Sequence, residues 1–145
     1  MKVAVASLMT AALVPVVAGC GHGQSYCDAV RDHQSDLGSI ASRGDRTALI
    51  QALPVFEDLR AKAPDDVADD WDLLVSRIQA LDTALTNGDV DPATYDPRNP
   101  PAGLSAADRS AIRSAAAQLA ASDTEGALTA VQQEVLDVCH TPLEL

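Results

Sequence analysis

The sequence predicts an all-α protein, an antiparallel bundle of four to five helices with one long Pro-rich loop. Three observations carry that expectation. Apolar residues recur at spacings of three and four through five separate stretches. Aromatic residues make up only 3% of the chain, so the core must be built mainly from Ala, Leu, Val and Ile, which suit packed helices better than a sheet sandwich. Residues 87–104, with four Pro and two Gly, have a composition that no regular element tolerates. A length of 145 residues leaves room for one ordinary domain.

The first helix is expected to open at Ser25, with Asp28 three residues later in a capping-box-like arrangement where Asp replaces the usual Glu. Tyr26, Val30, Leu37 and Ile40 mark its apolar stripe, interrupted by His33, and Gly44 stops it. Asp45 caps the second helix, on which Leu49, Ala52, Leu53, Phe56 and Leu59 recur. Pro54 lies inside that pattern, removes one backbone donor and presses on the carbonyl of Ile50, so a kink or a break is expected there. Ala63 and Pro64 end this segment and begin the third helix, whose N-terminal turns carry Asp65, Asp66, Asp69 and Asp70, where the helix dipole favours negative charge. Val67, Trp71, Leu74, Ile78, Leu81 and Leu85 then alternate at spacings of four and three, an a/d seam that lies against neighbouring helices. It covers fewer than three full heptads, so it reads as a bundle helix of a monomer, and Asn87 and Gly88 stop it. Ser105 caps a fourth helix with Asp108 in the capping-box position. Ile112, Ala115, Ala116 and Leu119 give that helix a thin apolar face, and the alanines at 115–117 allow close contact. The last helix carries Leu128, Val131, Val135 and Val138 and ends at Cys139, with Pro142 closing the helical potential.

The first 19 residues stand apart. Lys2 is their one charge, residues 3–17 are almost continuously apolar, and Val17, Ala18 and Gly19 lead into Cys20. That order reads as an export signal that is cleaved, because the run is too short to cross a ~30 Å hydrocarbon core comfortably and Pro15 interrupts it. Its last four residues resemble the bacterial lipobox: an aliphatic residue, two small ones, then the cysteine that is acylated and becomes the mature N-terminus. The resemblance implies a thioether-linked diacylglycerol on Cys20 with an additional N-acyl group. Two or three chains make a stable anchor at about 0.8 kcal/mol per buried methylene, whereas one chain binds only reversibly. The expected organisation is a signal peptide over 1–19, a flexible lipidated tether over 20–25 and a helical domain over 26–145, held by the lipid on the extracytoplasmic face of the cell membrane. Loss of the signal takes away Lys2 alone among charged residues, so the net charge of −11 becomes −12. A body that acidic is repelled by anionic lipid, leaving the acyl anchor to hold it, and its lack of a basic stripe excludes nucleic acid.

With Cys20 assigned to lipid, Cys27 and Cys139 remain near opposite ends of the mature chain. In an oxidising compartment that pair predicts one disulfide, which in the loop-entropy account stabilises the fold by about 4 to 5 kcal/mol. No metal site is expected, since zinc would need two of His22, His33 and His140, and no two of these share a compact ligand spacing. Asn87, Asp89 and Asp91 fall at positions one, three and five of an EF-hand loop, but Pro92 replaces the sixth-position Gly and Arg98 the bidentate Glu, so they read as turn formers.

Asp65, Asp66, Asp69, Asp70 and Asp72 read as a solvated helix face on which the pairs 65/69 and 66/70 point the same way. In a functional version, a basic peptide lies across Asp66, Asp70 and Trp71. Nucleophilic catalysis finds no Gly-x-Ser-x-Gly elbow and no unassigned Cys, and no catalytic residue or cofactor is expected. His33 reads as a half-exposed bundle residue, since Asp32 and Asp36 are poorly placed to pair with it, and His140 as a group that bonds the last carbonyls of its helix.

The lipobox, Tyr26-Cys27-Asp28-Ala29-Val30, the stretch Asp91-Pro92-Ala93-Thr94-Tyr95-Asp96-Pro97, and Val138-Cys139-His140-Thr141-Pro142-Leu143 together give a chain that resembles a group of small, uncharacterised lipoproteins of actinobacteria. The resemblance implies a localisation and transfers no catalytic residue. The function expected is a membrane-anchored, non-enzymatic binding or interaction module that presents a helical face or the 87–104 loop to an envelope protein, peptide or wall component. The alternative is a small-ligand or cation carrier using a bundle cavity. A partner-binding loop leaves Tyr95 exposed, whereas a ligand cavity places Trp71 on its wall.

Overall fold

The computed structural model describes residues 21–143, with side chains described from Ser25 onward; the expected signal peptide over 1–19 and the expected lipidation site Cys20 lie outside the described residues. Five helices follow one another: α1 (Gly21–Arg43), α2 (Ala48–Lys62), α3 (Ala68–Asn87), α4 (Ala106–Leu119) and α5 (Ser122–Cys139). Among the described residues there is no strand. His33 meets Asp58 midway along α1 and α2, while Arg43 reaches Asp45 and Gln51 where the two helices join, an antiparallel register. Arg60 with Asp72 and Glu57 with Gln79 set α2 and α3 antiparallel in the same way.

The fourth position of the bundle is shared by two helices. Arg77, halfway along α3, donates to Gln118 near the end of α4 at 2.6 Å and meets Asp123 at the start of α5 at 3.3 Å. The far end of α5 is bonded to α1 through Cys27 and Cys139, whose Cα atoms are 5.1 Å apart. Hence α4 covers the C-terminal half of α3 and α5 crosses its N-terminal half. After Cys139 the chain folds back along α1, where Gln34 donates to the Pro142 carbonyl and Leu143 enters the core.

Two apolar clusters result. The main one gathers Tyr26, Val30 and Leu37 of α1, Phe56 and Leu59 of α2, Trp71, Leu74, Val75 and Ile78 of α3, and Val131 and Val135 of α5. At its centre the Trp71 indole N–H donates to the Tyr26 hydroxyl at 2.9 Å, and the Phe56 ring lies 5.8 Å from the indole. Tyr26, Phe56 and Trp71 have no exposed surface. Burial pushes the Tyr26 phenol up to about 12. The smaller cluster joins Ala84 and Leu85 of α3, Val90 and Leu104 of the loop, and Ile112 and Ala115 of α4.

Several local expectations change. The first helix starts at Gly21, so Ser25 lies inside it and residues 21–25 are helical rather than a flexible tether. Nothing in Gly21, His22, Gly23 or Gln24 forbids helical backbone, and the turn extends backward from the buried Tyr26. Pro54 sits within α2 without splitting it. The third helix starts at Ala68, because Val67 closes a turn onto the Pro64 carbonyl before Trp71 makes the first helical bond to Val67. Asp65 and Asp66 therefore precede the helix, and the 65/69 and 66/70 pairs are not helical neighbours. On α5 the buried positions are Thr124, Ala127, Val131, Val135 and Cys139, which leaves Val138 46% exposed instead of on the apolar face. The disulfide fixes Cys139 inward, and a helical step of 100° turns its neighbour out.

Other local signals act as read. Gly44, at φ +58°, ends α1 in a conformation that only Gly adopts freely. The Ser105 hydroxyl accepts from the Asp108 backbone N–H at 3.0 Å and caps α4. Leu81 is the one residue of the a/d seam that is only half-buried, and it faces the smaller cluster.

Breaking the clasp by reduction, or by Cys27→Ser with Cys139→Ser, should lower the unfolding free energy by about 2–5 kcal/mol with the helical circular dichroism retained. The urea midpoint measured with and without reductant checks this, and an unchanged midpoint contradicts it. Tyr26→Phe should cost about 1–3 kcal/mol, because it strands the buried Trp71 N–H without an acceptor. In a Trp71→Phe background the same change should cost clearly less; equal costs in both backgrounds would assign the loss to something other than this bond.

Candidate functional site

The loop between α3 and α4 is irregular but held at many points. Asp91 Oδ1 accepts the Ala93 N–H and Asp96 Oδ1 the Arg98 N–H, both at 2.9 Å, two side-chain turns that fix the local path of the loop. Asp89 takes the left-handed conformation at φ 52°, in the place where Gly88 was the expected stop. Gly88 serves a different purpose: a methyl on it would stand 2.9 Å from Leu104 Cδ1, so its bareness lets the returning loop close on the end of α3. Val90 and Leu104 are the apolar anchors at the two ends of this excursion.

Between this loop and the bundle lies a cleft of about 230 Å³. Its floor is Ile50 of α2 with Leu81 and Leu85 of α3; Pro92, Tyr95 and Pro97 of the loop form one wall, and Ile112, Arg113 and Ala116 of α4 the other. Arg46, on the turn between α1 and α2, completes the rim and donates through Nη1 to the Tyr95 carbonyl at 3.2 Å, tying the loop to the bundle. The lining is largely apolar with two guanidinium groups at its edge. That volume lies just below the range of about 300–1,000 Å³ typical of small-molecule pockets, so it suits a small ligand only.

The distribution of ion pairs makes the rim unusual within this acidic chain. Arg31, Arg43, Arg60, Lys62 and Arg77 each pair with a carboxylate. Arg46, Arg98, Arg109 and Arg113 pair with none among the described residues, and Arg109 and Arg113 stand one turn apart on the same side of α4. A second hollow on the outer side of the loop, lined by Asp89, Asp91, Thr94 and Asp96, is polar and acidic by contrast.

The residues singled out from sequence do not form one site. Asp66 is exposed in the turn before α3, and it and Asp137 stand close enough to Glu134 of α5 to help burial hold the Glu134 carboxyl above its ordinary range. Asp70 is half-buried in the first turn of α3. Trp71 is wholly buried against Tyr26 and Phe56, so it neither meets a peptide across Asp66 and Asp70 nor lines the cleft. Its place in the a/d seam already carried that outcome. Tyr95 lies at the opposite end of the bundle, half-buried on the cleft wall. Sequence reading missed Arg46 and Arg113 because their juxtaposition depends on how the loop closes; unpaired arginines are invisible without the fold.

His33 pairs with Asp58 of α2 at 3.0 Å, a partner 25 residues away, and not with Asp32 or Asp36. Hydrogen bonds from Lys62 and then from His33 hold the Asp58 carboxyl below the usual carboxylate range. His140 caps α5 with its backbone N–H, which donates to the Leu136 carbonyl at 3.0 Å. Among the described residues no three His, Cys, Asp or Glu side chains converge in a metal-holding group, and no helix is long and apolar enough to cross a membrane. No protein-family model matches the chain, and no similar curated protein or solved structure was found.

Proposed function

We propose that the chain is a lipid-anchored, extracytoplasmic and non-enzymatic binding module whose recognition site is the cleft at the loop end of the bundle. The observation that carries this reading is the separation of two ends. The Cys27–Cys139 clasp lies at the start of α1, seven residues after Cys20, whereas the cleft lies beside the turn that follows Arg43. The intervening run of α1 spans about 24 Å at 1.5 Å per residue. An acyl chain on Cys20 would hold the clasp end at the membrane and present the cleft away from it. The charged groups of the cleft are the guanidinium groups of Arg46 and Arg113, planar donor forks whose geometry suits an anionic partner. A cleft of this size also favours a small ligand, or one side chain of a larger partner, over a broad docking face.

Metabolic labelling with an alkyne fatty acid tests the anchor: the wild-type chain should take up label and Cys20→Ser should take up none, while label on both would place the acyl group elsewhere. For the cleft, envelope extract should raise the melting temperature of the wild-type protein and leave Ala116→Trp, an exposed helix position turned into a plug, unshifted. An equal rise in both proteins, or in neither, would move recognition away from this cleft.

A further inference from the structure

We infer that the cleft takes a small amphiphilic carboxylate, its apolar body against Ile50, Leu81 and Leu85 and its anionic group between Arg46 and Arg113, an inference that rests on the reading of this cleft as the binding site. The apolar part of the argument is the floor. Ile50, Leu81 and Tyr95 pack only partly against the smaller cluster and leave their outer surfaces to the cleft. Contact with water there is unfavourable, and a hydrocarbon or aromatic body removes it.

The anionic part is charge complementarity. The chain has 21 Asp and Glu against 10 Lys and Arg, so a basic side chain left without a carboxylate is the exception to be explained. Asp91 and Asp96 are the acids carried by the cleft-forming loop closest in sequence to Tyr95, and both turn a carboxylate oxygen onto loop amides. Arg46 uses one N–H on the Tyr95 carbonyl and keeps the rest of its fork, and Arg113 makes no ion pair with any described residue. Arg109, one turn below Arg113, adds like charge to the same side of α4, which costs stability unless an anion neutralises it. A ligand that is anionic at one end and apolar over the rest satisfies both features, and the planar guanidinium fork matches a carboxylate through paired N–H···O bonds.

The volume limits the body to a ring or a short chain, so 4-phenylbutyrate and its neutral amide are matched probes. Titrated into the isotope-labelled protein as isolated from cells expressing the full chain, the carboxylate should shift the methyl signals of Ile50, Leu81 and Leu85 saturably and bind roughly tenfold more tightly than the amide. In Arg113→Gln and in Arg46→Gln that preference should fall to about one to threefold, while Arg31→Gln, at the clasp end, should keep it. Because Arg113 is exposed and bonded to no described residue, its variant keeps the comparison informative even if Arg46→Gln loosens the loop. Equal affinity for the two probes in the wild-type protein, or a preference that survives in both variants, overturns the carboxylate inference while leaving the cleft a binding site. No shift of the cleft methyls with either probe overturns it too, and the response of Ala116→Trp to envelope extract then judges the cleft itself.

Discussion

Trp71 occupies the first turn of α3, and three other helices reach it. Its indole N–H is bonded to Tyr26 of α1, Phe56 of α2 tilts against its ring, and it shares a cluster with Val131 and Val135 of α5. One Trp buries on the order of 200 Å², about 5 kcal/mol at 25 cal/mol per Å², and it is the only Trp among four aromatic residues. The N–H within that apolar surroundings must find an acceptor, and the Tyr26 hydroxyl is the one supplied. This bond fixes the rotation of α1 against α3, and with it the direction in which Cys27, the next residue on α1, faces α5. The disulfide and the Tyr–Trp pair therefore constrain the same approach of α1 to the rest of the bundle. Aromatic packing and the covalent link lie at the same end of the bundle and reinforce each other.

The opposite end is built on different terms. There α3 meets α4, whose apolar face consists of Ile112, Ala115 and the half-buried Leu119, too thin to cover Leu81 and Leu85. The loop makes up the difference by sending Val90 and Leu104 inward, with Gly88 allowing the close return. Cover supplied by a Pro-rich loop is less complete than cover supplied by a helix, since prolines and turns cannot follow a helix surface closely. The cleft is what remains uncovered. The disulfide thus closes one end of the domain, and the loop leaves the cleft open at the other, on the kind of connecting segment that commonly carries binding residues.

The fold was largely legible because each helix carries its own period and its own punctuation. The seam from Val67 to Leu85, the Ser105 cap and the Gly44 stop needed no knowledge of neighbours, and each acts locally as the residues indicate. Illegible features were those decided by partners distant in sequence. Val138 looks apolar and in register, yet the inward pull of Cys139 exposes it. His33 has two acids beside it and bonds a third one helix away. Asp66 and Asp70 looked like helical neighbours until the Pro64 turn separated them, and Trp71 could not serve both the seam and the surface. Of the cleft lining, Leu81, Leu85, Ile112 and Ala116 read in sequence as helix faces and Tyr95 alone as a recognition residue, whereas an arginine's significance depends on whether an acid lies near it.

That dependence explains the charge arrangement of the whole molecule. Within the bundle the surplus of acids gives Arg31, Arg43, Arg60, Lys62 and Arg77 each a carboxylate, one turn away on its own helix for Arg31 and Lys62, at the helix junction for Arg43, and on a facing helix for Arg60 and Arg77. Most of these pairs are exposed and contribute well under 1 kcal/mol each, so they record proximity more than they confer stability. At the loop end the same surplus exists in sequence, with Asp89, Asp91 and Asp96 close to Arg98, but Asp91 and Asp96 each direct one oxygen to a loop amide. A segment without helical hydrogen bonds satisfies its amides through turns and side chains, here Thr94 and Tyr95 on the Asp91 carbonyl and Ala93 and Arg98 on Asp carboxylates. The apolar floor and the two arginines without an ion pair, Arg46 and Arg113, thus meet beside a loop whose Asp91 and Asp96 point to its own amides, and on that juxtaposition the proposed anion site rests.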